Sequence, residues 1–447
     1  MQQGIDSARI VQNLKASWQA SGLKQKLIFT FVVIALFRLG AQLPIYGINN
    51  TVFQHFSTES NNLIGFLDMF SGGALGRVSI FALGIGPYIT SSIIMQLLAV
   101  IIPSLEKLQK EDGEAGRRKI QQYTRLFAVA LALFQSVLFS LALYKFDGVI
   151  LPGVNHTMFF IASALSLTAG ATVVMWLAEL ITEKGVGNGA SLLIFVGIIA
   201  GIPMYCNNTA KLVQTDKHLQ FGLLLLILIF IATIIFIIIL HEACRKVPIV
   251  SARRQVGNKV YGGQNTNIPF KLNPGGVMPI IFAIAILLFP ATVLGVVQQM
   301  HIQNVVLSSI FEKLTMIFSA RSLLYYIIYF VLIVFLTFFY ASIIPSMQPK
   351  EIANNLKKYG SAIPGVKPGK PTADKLDEIL SRVMFIGAFA LGIIAMVPTV
   401  ASRVTEITTF QGIGATSLII LVGVALDFIN QIKTHMLAKQ YESFLQQ

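Results

Sequence analysis

Long apolar runs dominate this chain, each near 20 residues and each ended by a cluster of charged residues, glycine or proline. Wound as a helix, a run of that length matches the roughly 30 Å hydrocarbon core of a bilayer. Ten spans are predicted, at about residues 25–44, 77–102, 123–144, 157–181, 189–206, 219–241, 275–297, 322–345, 382–400 and 412–432. Their even number places both termini on one side. The composition agrees, with 55% of 447 residues hydrophobic and only 12% charged, which excludes a soluble multidomain enzyme. The first residues are mixed and polar (Asp6, Arg9, Lys15, Gln19), unlike a signal peptide.

A formal charge of +14 invites a nucleic-acid reading, but the placement of the charge decides against it. Of 34 lysines and arginines, 26 fall in segments on the side of the termini, the bias of cytoplasmic loops in membrane proteins. The expected layout is a cytoplasmic segment 1–24, a five-span half 25–206, an external connector 207–218, a second half 219–432 and a cytoplasmic tail 433–447. Two cytoplasmic loops, 242–274 and 346–381, are long, basic and rich in glycine and proline, beyond what joining two helices requires. They are candidate docking surfaces for an acidic or RNA-bearing partner.

Little catalytic chemistry is on offer. The stretch GVKPGKPT (365–372) has three residues rather than four between its glycines and a proline after the lysine, so it reads as a turn rather than a phosphate loop. No His/Cys cluster has metal-ligand spacing, and no cofactor is expected. Cys206 and Cys244 are assigned to opposite membrane faces and are expected to be free thiols. Arg38, Glu179 and Asp427 lie toward span ends, leaving the middle of every span without an ionisable group. That disfavours a proton- or ion-coupled transporter against a conduit powered by a partner. The lead-ins to spans 2 and 7, SGGALGR and NPGGVMP, echo each other at matching places in the two halves. Halves of five spans lie inverted, and interrupted segments at such places point to a transport path.

Specific motifs then narrow the conduit. The stretches MFSGGALGRVSIFALGIGPYITSSIIMQLL (69–98), EKGVGNGASLLIFVGIIAGIP (183–203), RRQVGNKVYGGQNTNIPFKLNPGGVMPIIFA (253–283), EIANNLKKYGSAIPGVKPGKPTADKLDEIL (351–380) and QYES (440–443) together resemble the SecY family of bacterial Sec translocon channels, in order along nearly the whole chain. The resemblance implies an all-α integral membrane protein with ten transmembrane helices in two inverted halves around an hourglass pore. It implies a plug formed by Asn62, Leu63, Ile64, Gly65, Phe66, Leu67, Asp68, Met69, Phe70, Ser71, Gly72 and Gly73, and an apolar pore ring of Ile85, Ile89, Ile194, Ile198, Ile281 and Ile420. The same-helix ring pairs are spaced i, i+4 and so share a face. A lateral gate between spans 2–3 and 7–8 would include Gln96 and Phe289. Arg253, Arg254, Lys357, Lys358 and Lys367 would dock partners. Lys367 stands where the family generally has Arg, keeping the charge but losing the planar fork. The implied partners are SecE, SecG, the SecA ATPase, the ribosome, signal sequences, nascent chains and membrane lipids. The implied location is the cytoplasmic membrane.

Overall fold

The computed structural model describes residues 22–49, 53, 68, 71–110, 113–145, 148–215, 219–251, 254–256, 259–261, 265–299, 313, 322–343, 348–405 and 415–445. Among them lie ten helices at the predicted spans: α1 (Leu23–Gly40), α2 (Gly86–Ile101), α4 (Gly113–Lys145), α5 (His156–Lys184), α6 (Gly189–Thr215), α7 (Leu219–Glu242), α8 (Met278–Gln299), α9 (Leu323–Ile343), α11 (Lys370–Val404) and α12 (Ala415–Leu445). Two short helices, α3 (Pro103–Lys110) and α10 (Pro349–Lys358), lie between them.

The packing repeats itself. In the first five membrane helices α2 packs on α4, α4 on α5, α5 on α6, and α1 on both α5 and α6. In the second five α8 packs on α9, α9 on α11, α11 on α12, and α7 on both α11 and α12. The two sets meet through α2 against α8 and α6 against α12. Each of these helices faces its own counterpart, as a two-fold axis between the halves requires. With an odd number of spans per half, the halves are inverted.

In hydrocarbon the hydrophobic effect does not drive helices together, so close backbone approach and interhelical hydrogen bonds must. Between α4 and α5, Ser136 and Thr168 share a 2.7 Å hydrogen bond and Ser163 donates to Ser140 at 2.9 Å. Such bonds contribute about 0.6–2 kcal/mol each. A Cβ at Gly170 of α5 would collide with the Ile80 carbonyl, so glycine lets the segment before α2 lie against the α5 backbone.

Several predicted boundaries are corrected. Span 2 was expected from residue 77, yet helix begins only at Gly86, and residues 74–85 form successive turns. Their backbone is satisfied elsewhere: Ile45 N donates to Val78 O and Ile80 N to Leu43 O, both at 3.0 Å. The connector 207–218 is mostly helix, since α6 runs on to Thr215 and α7 starts at Leu219. The tail 433–447 is helical to Leu445 as the end of α12. Helix α11 starts at Lys370, twelve residues before the expected span, with Pro371 in its first turn where a missing N–H costs nothing. Its polar start carries the ion pairs Lys375–Glu378 (2.8 Å) and Arg382–Glu378 (2.6 Å). The turn expected at 365–372 therefore ends at Gly369.

The two long basic loops contain strands that periodicity did not predict. Strands β1 (Cys244–Ser251), β4 (Asn265–Lys271) and β5 (Ser361–Ala362) form one antiparallel sheet in the order β4-β1-β5, and β2 (Arg254–Val256) pairs with β3 (Lys259–Tyr261). Val250 pairs with Ala362 and Ser251 with Ser361, so the sheet ties one loop to the other. Val247, Phe270, Ile363, Leu376 and Leu380 form a buried core beneath it, with Ile352 and Leu356 of α10 packed against them. Strands β1, β4 and β5, helix α10 and the start of α11 thus form one small body with its own core.

Candidate functional site

Four helices face their counterparts across the axis, and the six candidate ring isoleucines come from those four. Ile85 precedes α2, its carbonyl accepting from Ile89 N at 3.1 Å, and Ile89 follows one turn later. Ile194 and Ile198 lie in α6, Ile281 in the first turn of α8 and Ile420 in α12. All six belong to one apolar cluster. Ile85, Ile194, Ile198, Ile281 and Ile420 are at most 4% exposed, and Ile89 is half-buried.

Beside this cluster opens a cavity of about 210 Å³. Ile89, Ile194 and Ile281 form its apolar side, and Tyr88, Ser92, Gln96, Thr182, Asn188, Ser191 and Tyr340 supply a polar collar. The collar is neutral, and its groups bond locally: Gln96 Nε2 donates to Ser92 Oγ (3.1 Å), Gly189 N to Thr182 Oγ (2.9 Å) and Ser191 N to Asn188 Oδ1 (3.2 Å). The result is a wettable cavity with no fixed charge in its lining, bounded on one side by the apolar isoleucine cluster. Apolar constrictions oppose ion flow by dewetting.

Gln96 lines this cavity from α2, and Met278, Ile281 and Phe282 line it from α8, so it runs along the seam where the two helices meet. Helix α4 also packs on α8. Phe289 belongs to α8, but its side chain lies outside the described residues.

Of the plug segment, Asp68, Ser71, Gly72 and Gly73 are described, while Asn62, Leu63, Ile64, Gly65, Phe66, Leu67, Met69 and Phe70 lie outside the described residues. The described part is polar and closely bonded. Gly76 N donates to Asp68 Oδ1 (2.6 Å), Ser71 Oγ to Asp68 O (2.9 Å) and Oδ1 (3.2 Å), Leu75 N to Ser71 Oγ (2.9 Å), and Gly73 N to Asp68 O (2.9 Å). Burial pushes the Asp68 carboxyl above the ordinary range, against the pull of the Gly76 and Ser71 hydrogen bonds.

Each charge noted near a span end has a partner. Arg38 donates to Gly72 O at 2.6 Å. Glu179, 8% exposed, accepts from Arg125 at 2.7 Å and from Gln121 at 3.4 Å, joining α5 to α4. Asp427 lies 3.0 Å from His241 Nε2, joining α12 to α7. Sequence reasoning missed these pairs and the collar, although an ionisable residue near a span end signals that a partner is required.

Among the docking candidates, Lys357 and Lys358 are exposed in the last turn of α10, where the helix dipole favours cations, and Lys367 is exposed in the following turn. Arg253 lies outside the described residues. Arg254 lies in β2, its side chain also outside them. Cys206 and Cys244 are both free and exposed.

A profile of the family described as SecY matches residues 79–429. The chain is 44% identical to the protein translocase subunit SecY of Synechococcus elongatus over 434 residues, covering 96% of this chain and 95% of that protein. It is 39% identical to the Thermotoga maritima protein of the same name over 442 residues, covering 97% of each. A solved structure described as a protein conducting channel superposes with a TM-score of 0.64 at 17% identity, covering 92% of both chains. Sec61 in a canine ribosome-channel complex superposes with a TM-score of 0.58 at 15% identity, covering 92% of both. With a family match across most of its length, relatives alike from end to end and the same ten-helix fold, the chain belongs to the SecY family.

Proposed function

We propose that this chain is the protein-conducting channel of a cytoplasmic-membrane translocon. It passes unfolded polypeptides outward and releases apolar segments sideways into lipid. One observation carries the reading: six branched apolar residues converge from the four axial helices on one buried cluster, beside a neutral, polar-lined cavity. Such a constriction has no charge or fixed donor set to select a cargo, so it suits chains of any sequence. The seam between α2 and α8 is the lateral gate, with Gln96 at its polar end. Residues 62–73 are the plug on the outer side of the ring. Both termini and the sheet-linked body face the cytoplasm, where Arg253, Arg254, Lys357, Lys358 and Lys367 meet the SecA ATPase or the ribosome. SecA or the ribosome supplies the energy. SecE and SecG complete the complex.

The test is photo-crosslinking to a secretory chain stalled midway, from probes at Ile89 and Ile198, with Leu228 on the exposed outer face of α7 for comparison. Adducts from the two ring positions and none from Leu228 are expected. With the stalled chain shown to be bound, absence of adducts at both ring positions would overturn the conduit reading.

A further inference from the structure

Arg38 is out of place as a lipid-facing residue, and among the described residues its hydrogen-bond partner is a backbone carbonyl rather than a carboxylate. It lies in the last turn of α1, yet its guanidinium reaches 34 residues along the chain to a backbone carbonyl, donating from Nη1 to Gly72 O at 2.6 Å. The nearby carboxylate of Asp68 is engaged within its own loop by Gly76 N and Ser71 Oγ.

The carbonyl that Arg38 holds is also seated. Gly72 has φ +71°, a conformation that side chains disfavour, and a Cβ there would lie 3.0 Å from Gly197 Cα and 2.9 Å from Arg38 Nη1. Gly197 directly precedes the ring residue Ile198 in α6. The backbone at Gly72 therefore lies against α6 at Gly197, beside Ile198, while bonded to α1 through Arg38. At Gly73, by contrast, a Cβ would meet nothing within 4 Å, and φ is +84°.

We propose that Arg38 is the latch of the resting channel: it holds the Gly72 carbonyl against Gly197 and so keeps the plug root on the ring. The inference rests on the plug assignment above. Arg38 touches no cargo and is a positioning residue. A single directional bond suits this task, because it fails as a unit once the carbonyl moves, whereas apolar packing loosens by degrees.

The experiment uses the complete translocon in proteoliposomes, reading resting ion leak and export of a substrate with a defective signal sequence. Arg38→Met keeps the stem and removes the donors. It should raise leak about ten- to a hundredfold, the population equivalent of one charge-assisted hydrogen bond, and admit the defective substrate. Arg38→Lys should restore most of the closure, since charge and a donor remain. Gly72→Ala, leaving Arg38 in place, should leak in the same direction and guards against an Arg38→Met chain that fails to assemble. Arg38→Met is then placed in a chain lacking residues 62–70, where no further rise is expected. An equal rise with and without that segment, or no rise in the intact chain, would overturn the latch. If removing the segment alone leaves leak and signal requirement unchanged, the plug assignment itself falls.

Discussion

The cluster of candidate ring isoleucines and the proposed plug root meet at α6, where Gly72 lies against Gly197, the residue before Ile198, yet the two are built from opposite chemistry. The ring gathers six apolar side chains from four helices into one cluster. The root is a knot of directed hydrogen bonds around Asp68, Ser71 and Gly72, held from outside by Arg38. Dispersion contacts are individually small and spread over many atoms, so no single methyl decides them. A charge-assisted hydrogen bond is one contact of about 1.5–3 kcal/mol and is lost whole. A seal that must reclose around any polypeptide needs the first kind, and a switch needs the second.

Five substitutions sharpen that contrast, from the largest effect to the smallest. Arg125→Met breaks a polar junction of the directed kind and leaves Glu179 buried without its cation. It should cost about 2–4 kcal/mol, somewhat below the usual cost of orphaning a fully buried charge because Arg125 is itself 40% exposed. Thermal unfolding of the purified channel reads this, and adding Glu179→Leu should restore most of the loss. Full additivity of the two changes would contradict the pairing.

Next, Ile198→Asn or Ile420→Asn wets a fully buried ring position. An imperfectly bonded amide costs about 1–3 kcal/mol there, so resting leak should rise about ten- to a hundredfold, with a relaxed demand on the signal sequence. Unchanged leak together with unchanged export of a defective-signal substrate would remove these residues from the constriction. Gly72→Ala should follow at about tenfold, set by about 1–2 kcal/mol of left-handed strain and by crowding against Gly197. Smallest is Ile198→Val, which removes one methylene at about 0.5–1.5 kcal/mol. Leak should stay within about threefold, because five other side chains still close the ring. A large leak from this variant would show that the ring depends on single contacts and erase the contrast with the root.

Much of the architecture was legible in the chain. Runs of about 20 apolar residues mark spans because hydrocarbon thickness sets helix length, and all ten appear as helices. Span 2 shows where this rule stops. Residues 77–85 are apolar enough for a helix, but Gly40, Gly170 and the 43–45 strand-like segment offer a groove and free backbone partners that hold them as turns. The β-strands in the basic loops were equally hidden. Runs such as CRKVPIVS alternate weakly, and the strand exists only through its pairing with β4 along most of its length and with β5 at its end, where Ser251 meets Ser361 more than a hundred residues on.

By itself, the sequence determined the membrane class, the span count, the basic face and the family, because these follow from composition, run length and motifs read in order. Tertiary structure alone decided which helices face one another across the axis, that the six isoleucines from four helices share one cluster, and that Arg38, Glu179 and Asp427 each find a partner. Those pairings join positions 34, 54 and 186 residues apart. The physical reason is that hydrocarbon rewards a run of apolar residues wherever it lies, whereas a directed polar contact exists only once the bundle has brought its two ends together.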